Sequence, residues 1–220
     1  MLSIMGIDLG RDTPIGRDAL ASFLGAHPWD ESLLKGRTPI EYFSVYRFDA
    51  SPEELWPILS DTSGINLKMG LNRIDFSERA GKRFGRSILG GRLHVWEERP
   101  WQWEYGKSIS IERIYSSGWC TYVRVFIEFS PSSDGGTELT LNFGWLPRDP
   151  FSALVLKAAG NAFMRRYGLS IGTLLEERKS ASALSAEQKT FPRTNRVLIE
   201  PLNLQRAEAA LDPVAAARIT

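Results

Sequence analysis

One cysteine and two histidines are all that this chain of 220 residues offers as soft metal ligands or near-neutral titrating groups. Cys120 has no partner for an internal disulfide, and with His27 and His94 it makes too small a set for a structural zinc site. A reducing, cytoplasmic setting is the expectation. Nucleophilic catalysis, which needs an activated nucleophile with a base in reach, has equally little to assemble from. Net charge is missing too. Lys plus Arg number 27 against 26 Asp plus Glu, so no whole-chain attraction to nucleic acid or anionic lipid is expected. No run of about 18 apolar residues occurs, and Asp8, Arg11 and Asp12 interrupt the start of the chain. Neither membrane insertion nor a secretory leader is therefore expected.

What the chain does have is 43% hydrophobic residues, enough for one sizeable core with appendages. Residues 1–41 are punctuated by glycine and proline, with short helix-compatible pieces such as Arg17 to Leu24, and read as an arm lying on the domain. A strand from Phe43 to Asp49 leads into Ser51-Pro52-Glu53-Glu54, where Ser51 can cap, Pro52 suits the first helical position and Glu54 can reach back. Pro57 and the run Ser60 to Gly64 then divide the following stretch into two short helices ending near Gly70.

From Leu71 to Leu146 the pattern is strand after strand: Leu71 to Glu78, Arg83 to Leu89, Arg92 to Glu98, Trp103 to Ser116, Gly118 to Ser130 and Thr137 to Leu146. The joints at Ala80-Gly81, Gly90-Gly91, Arg99-Pro100, Ser117-Gly118 and Asp134-Gly135-Gly136 carry turn chemistry. In the last two strands Trp119, Val123, Val125, Ile127 and Phe129 share one face, as do Leu139, Leu141, Phe143 and Trp145. Arg124, Glu128, Glu138, Thr140 and Asn142 lie opposite, so that side of the sheet is expected to face mostly water. After Pro150 the period becomes helical, with Phe151, Leu154, Val155, Ala158, Ala162 and Phe163 on one stripe that continues to Leu175. Gly160, Gly168 and Gly172 interrupt it, and a kink is expected near Gly168.

The order strand, two short helices, six strands and long helix predicts an α+β helix-grip fold over residues 42–180. A seven-stranded curved antiparallel sheet wraps the C-terminal helix and leaves a cavity between them. Residues 181–220 read as a connector, because they hold one aromatic residue, Phe191. Asp212-Pro213 then caps a short helix that stops after about two turns, which is marginal alone. The chain is thus expected to lead into a further C-terminal domain.

Seven tryptophans and eleven phenylalanines suit either a filled core or an aromatic-walled pocket. The candidate cavity residues are Trp96, Trp103, Ile111, Arg113, Tyr115, Trp119, Val123, Phe143, Val155 and Phe163. Arg113 shares a face with Ile109, Ile111 and Tyr115. It needs a carboxylate partner or an anionic ligand, unless strand twist carries it to solvent. Glu97, Glu98 and Glu104 raise acid/base chemistry, but neighbours in a strand point oppositely, so Glu97 and Glu98 cannot share a pocket; whichever points inward suits a buried arginine. Cys120, on the face opposite Trp119, reads as an inert thiol, and His94 as an ordinary strand side chain. No catalytic, metal or cofactor residue is assigned. The clusters at Gly81 to Gly85 and Gly90-Gly91 lack the strand-to-helix context of a phosphate cradle.

The sequence also resembles the START-like, polyketide-cyclase-like (SRPBCC) domains, and among them those that precede adenylate/guanylate cyclase catalytic domains in bacteria. The resembling residues are Ser51-Pro52-Glu53-Glu54-Leu55-Trp56-Pro57 with Ser60-Asp61-Thr62, Trp96-Glu97-Glu98-Arg99-Pro100 with Trp103, Ser117-Gly118, and Gly135-Gly136-Thr137. The likeness covers roughly residues 42 to 178 and leaves the N-terminal arm outside. It implies a non-catalytic sensory or regulatory module that binds an apolar or aromatic small molecule, or a partner segment, and acts on a C-terminal effector domain, with a homodimer compatible. An aromatase/cyclase-type enzyme is the alternative, as is a hydrophobic-ligand carrier entered between the short helices near Thr62 to Met69.

Overall fold

The computed structural model describes residues 14–133 and 135–190. The chain divides into two units, Met1–Ala181 and Ser182–Thr220. In the second, the described residues, 182–190, are the last turns of a helix. The Asp212-Pro213 cap, the connector beyond residue 190 and the first part of the arm lie outside the described residues.

The elements among the described residues are α1 (Pro14–Ala26), α2 (Glu31–Leu34), β1 (Ile40–Phe48), α3 (Pro52–Leu59), α4 (Thr62–Lys68), β2 (Asp75–Arg79), β3 (Lys82–Leu89), β4 (Arg92–Glu98), β5 (Gln102–Glu104), β6 (Ser108–Ser117), β7 (Cys120–Pro131), β8 (Thr137–Pro147) and α5 (Pro150–Thr190), whose last residues belong to the second unit. Strand order is β1-β8-β7-β6-β4-β3-β2, all antiparallel, with β5 added on β6. Seven strands follow one another in order, as expected, and the short β5 adds an eighth on β6. The run read as one strand from Trp103 to Ser116 is cut at Gly106, whose φ of 71° turns the chain, with the Lys107 amide donating to the Glu104 carbonyl at 2.9 Å. The two pieces then pair with each other, Trp103 against Ile109.

Strand β2 also begins later than expected. Gly70, at φ 74°, ends the α4 segment, and Leu71 to Ile74 cross as irregular chain held by local bonds. The Asn72 side chain donates to the Ile88 carbonyl at 2.9 Å and the Ile74 amide to Ser63 Oγ at 3.2 Å. The cap before α3 forms as expected: the Ser51 amide donates to Glu54 Oε2 at 2.8 Å and the Glu54 amide to Ser51 Oγ at 3.4 Å.

The main core joins β1, β7 and β8 to α5 and the short helices, through Leu55, Leu59, Ile65, Ile127, Leu139, Leu141 and Ile171 among others. Two glycines let α5 lie close on β1. The Tyr42 hydroxyl donates to the Lys157 carbonyl at 2.9 Å and the Tyr46 hydroxyl to the Met164 carbonyl at 2.6 Å. A Cβ at Gly160 would stand 1.9 Å from Tyr42 Cζ, and one at Gly168 2.3 Å from Tyr46 Cε1. These positions seat the tyrosine rings. Gly160→Ala is expected to destabilise by about 1–3 kcal/mol through overpacking, despite the roughly 1 kcal/mol that alanine gains in a helix. In a Tyr42→Val background the same change should turn stabilising. Denaturant midpoints of the four proteins measure this reversal of sign.

The outer face of the sheet departs from expectation in part, since the arm covers the portion around Arg124 and Asn142 while Glu128 and Ser130 remain exposed. Leu20 and Phe23 of α1 form a second core with Phe43, flanked by Leu24, Val45 and Phe126. Arg124 and Glu41 are buried there as an ion pair at 3.1 Å. Arg124 also donates to the His27 carbonyl at 2.9 Å and lies over the Trp29 ring. Asn142 Nδ2 and Trp29 Nε1 donate to the Glu41 carboxylate. Arg124, which read as part of a solvated face, is thus an internal partner for the arm, whereas Glu128 stays exposed and Glu138 pairs with Arg47 at the surface.

Candidate ligand-binding cavity

The inner face of the sheet does not close fully on α5. A cavity of about 420 Å³ remains between β3, β4, β6, β7, β8, α4 and α5, within the usual range for small-molecule sites. Alternation along β4 and β6 brings His94 and Trp96, then Ile111, Arg113 and Tyr115, to one wall. Val123, Val125, Phe143 and Trp145 continue it, and Val155, Ala159, Ala162, Phe163, Arg166 and Tyr167 of α5 face them. Space persists because two of those helix positions are alanines. Ala159, Ala162 and Arg166 are exposed while lining the cavity, so it is open to solvent on that side.

Nine of the ten candidate residues reach this wall. Trp103 does not. It lies on the short β5 hairpin, 64% exposed, with its ring 5.9 Å from Trp56. Cys120 does line the cavity, contrary to the face assigned to it. A register shift between Cys120 and Tyr122 in the β7–β8 ladder breaks the period of two, so counting from Trp119 gives the wrong side. Burial pushes its thiol up to about 12, which keeps it protonated and weakly nucleophilic. His94, Met69, Leu71, Ile74 and Trp145 are further lining residues, none of them among the ten cavity candidates. For Trp145 the alternation with Phe143 was a usable signal. For Leu71 and Ile74, in irregular chain, there was none.

Arg113 is answered by Glu98, whose side chain is 1% exposed. Arg113 Nε donates to Glu98 Oε2 at 3.1 Å and a terminal nitrogen to Oε1 at 3.3 Å. Trp96 Nε1 adds a bond to Oε2 at 2.5 Å and Trp101 Nε1 one to Oε1 at 2.7 Å. Gly85 makes room for this arrangement, since a Cβ there would fall 2.3 Å from the Trp96 ring. The Trp-Glu-Glu-Arg-Pro block is therefore a structural clamp on a buried arginine. Glu97 points outward to Lys82 at 3.0 Å, and Glu104 pairs with Lys107 on the surface. No two of these carboxylates share a site.

His94 is 6% exposed, and its Nε2 is buried without a hydrogen-bond partner. Burial, with Arg92 and Arg148 nearby, lowers its pKa to about 4, so the imidazole is neutral near pH 7. Burial likewise raises the Tyr115 and Tyr167 phenols well above their ordinary range. Among the described residues, no three His, Cys, Asp or Glu side chains gather where a metal could sit, and no helix is long and apolar enough to cross a membrane.

No protein-family model matches this chain, and no curated protein matches it. Among solved structures, it superposes on the Zhui aromatase/cyclase of Streptomyces sp. R1128 with a TM-score of 0.53 at 12% identity, over 64% of this chain and 96% of that one. The fold is helix-grip. The di-domain aromatase/cyclase of the steffimycin biosynthetic pathway superposes with a TM-score of 0.52 at 12% identity, over 77% of this chain and 62% of that one. At such identity the likeness extends to the helix-grip fold and no further. The chain thus has the helix-grip architecture, in which the site described above lies between sheet and terminal helix.

Proposed function

We propose that this chain is a non-catalytic binding module whose helix-grip cavity receives an apolar or ring-bearing small molecule, with occupancy relayed through α5 to an effector. The observation that carries this reading is an open, aromatic-walled space of about 420 Å³ whose internal ion pair, Arg113 with Glu98, is already satisfied by the protein. Apolar burial supplies the driving force, at roughly 25 cal/mol per Å² of ligand and wall removed from water. Relay is supported by the shared wall: Val155, Phe163 and Tyr167 face the ligand space on the helix that also anchors β1. The finer reading, a front module of a nucleotide cyclase, rests on the sequence resemblance. An assay of the natural downstream domain with and without ligand tests it.

The binding itself is tested with phenanthrene as a fluorescent probe. The native chain should bind it at one site, and Ala162→Trp, which fills the cavity, should weaken it at least roughly tenfold without lowering Tm. Unchanged binding in Ala162→Trp removes the cavity from the account. For the relay, ligand should slow amide exchange in residues 176–181.

An enzyme of the aromatase/cyclase type is favoured by one observation, the convergence of His94, Arg113 and Tyr115 on one wall. Against it, a general base works best with a pKa near the operating pH, and His94 is held near 4, while Arg113 is spent on Glu98. Turnover of a poly-β-keto thioester that His94→Phe abolishes would establish the enzyme instead. Mass spectrometry of a solvent extract of the purified protein would reveal a carried lipid.

A further inference from the structure

The charged side chains that line the cavity are of one sign. Arg113 and Arg166 are among them, and no Asp or Glu is, among the described residues. Arg113 is cancelled by Glu98, whose two oxygens accept two bonds each. Arg166 is not cancelled: no group among the described residues forms an ion pair or hydrogen bond with it. It stands at the exposed side of the cavity and also borders the adjoining surface groove of Lys68, Gly70, Ser170 and Thr173. Lys68 in that groove is taken by Glu177. A free guanidinium thus sits where an apolar interior meets water.

The surroundings carry the same sign. From Pro150 to Leu175, α5 holds Lys157, Arg165 and Arg166 and no acidic residue, in a chain whose 27 basic and 26 acidic residues nearly balance. Near His94, Arg92 lies over the Trp119 ring at 4.7 Å, and Arg148 donates to the carbonyls of Tyr115, Gly118 and Cys120 at 3.1, 3.1 and 3.0 Å. Rings and carbonyls do not neutralise these charges. Asp149 offsets part of that on Arg92, but its carboxylate accepts the Ser152 amide at 2.7 Å and does not line the cavity. After burial, the two arginines are what lower the His94 pKa, so their field reaches the wall. A cleft of one sign with apolar walls concentrates that field and favours the opposite charge in whatever enters. Depth decides where the charge can sit. An anion deep in the cavity would give up its water beside an ion pair that is already closed. At the opening it keeps part of its hydration and meets a planar guanidinium, which suits a carboxylate in bidentate fashion.

We infer that the ligand is an amphipathic anion, with its apolar, ring-bearing body inside the cavity and its carboxylate at the opening on Arg166. This deepens the ligand-binding reading above and rests on it.

The test uses the full chain and three fluorescent probes that share one ring system and differ in head group: phenanthrene carboxylate, phenanthrenemethanol and phenanthrenemethylammonium, titrated at pH 7. The carboxylate should bind at least roughly tenfold tighter than the ammonium, and that ratio should shrink as salt is raised from about 0.05 to about 0.5 M. Arg166→Gln should cost the carboxylate about fivefold more than it costs the alcohol, the upper part of the range for a partly exposed charge pair. Arg166→Glu should place the ammonium ahead of the carboxylate. Ala162→Trp should weaken the carboxylate along with the alcohol, because the ring system of both occupies the cavity. A carboxylate no tighter than the ammonium, with the alcohol still bound, overturns the inference and leaves the ligand site standing. So does a carboxylate preference that Arg166→Gln leaves intact, or carboxylate binding that survives Ala162→Trp and is therefore confined to the surface. Binding of none of the three overturns the ligand-binding reading itself, and the inference with it.

Discussion

Glu98→Ala should cost the fold about 3–5 kcal/mol, since it leaves the Arg113 charge buried without a partner. The side chains of Glu98 and Arg113 are 1% and 12% exposed, so water replaces only a small part of what the pair loses. The indole N–H groups of Trp96 and Trp101 lose their acceptor in the same step. Against a whole-domain stability of about 5–15 kcal/mol, the loss is large. A double variant, Arg113→Met with Glu98→Leu, removes both charges and should recover much of it, though not all, because two indole donors remain buried and unpaired. Denaturant midpoints with unchanged slopes measure both effects. If Glu98→Ala costs less than about 1 kcal/mol, the clamp is not the structural unit described above.

Acidification should weaken the protein between pH 6.5 and 4, by about 3 kcal/mol through His94 alone. The sign follows from the direction of its shift, with the folded pKa lowered from 6.5 to about 4. Above pH 6.5 the imidazole is neutral folded or unfolded, and its contribution is fully present. As pH falls below that value the unfolded chain takes up a proton that the folded cavity wall refuses. Stability then drops by about 1.4 kcal/mol per pH unit, until the folded state also protonates near 4. Carboxylates titrate at the lower end of this window, so the informative quantity is the difference between the native chain and His94→Gln. Native stability should fall toward the variant's between pH 7.5 and 4.5, in the absence of ligand. Parallel curves would show that His94 is not withheld from protonation.

Much of the architecture was legible because it rests on local chemistry. Ser51, Pro52 and Glu54 form their cap from neighbours three residues apart, and the alternation in β7 and β8 follows from the pleat itself. The places where reading failed are those where chain-distant partners decide. Glycines 160 and 168 look like helix breakers until Tyr42 and Tyr46, more than a hundred residues earlier, fill the space above them. Arg124 and Asn142 look like solvent-facing residues until β1 supplies Glu41 and the arm supplies Trp29 and the His27 carbonyl. Trp103 looks like a cavity wall until the turn at Gly106 folds it outward.

The cavity shows the same division. Alternation named most of its wall, since face assignment in an unbroken strand needs only counting; at Cys120 the bulge made the count fail. The partner of Arg113 was constrained by charge alone, because an isolated buried cation is too costly to persist. That the partner is Glu98, and that both its oxygens are consumed, came from tertiary placement.

By itself, the sequence determined the kinds of element, their order and the side each regular strand turns inward, all properties set by residues within a few positions of one another. Only the tertiary structure decided that α5 stands off from β4 and β6 far enough to leave an open space, and that His94, on the wall of that space, keeps its Nε2 buried and unpaired. Both depend on the volumes and hydrogen bonds of groups brought together from distant parts of the chain, and no local pattern encodes those sums.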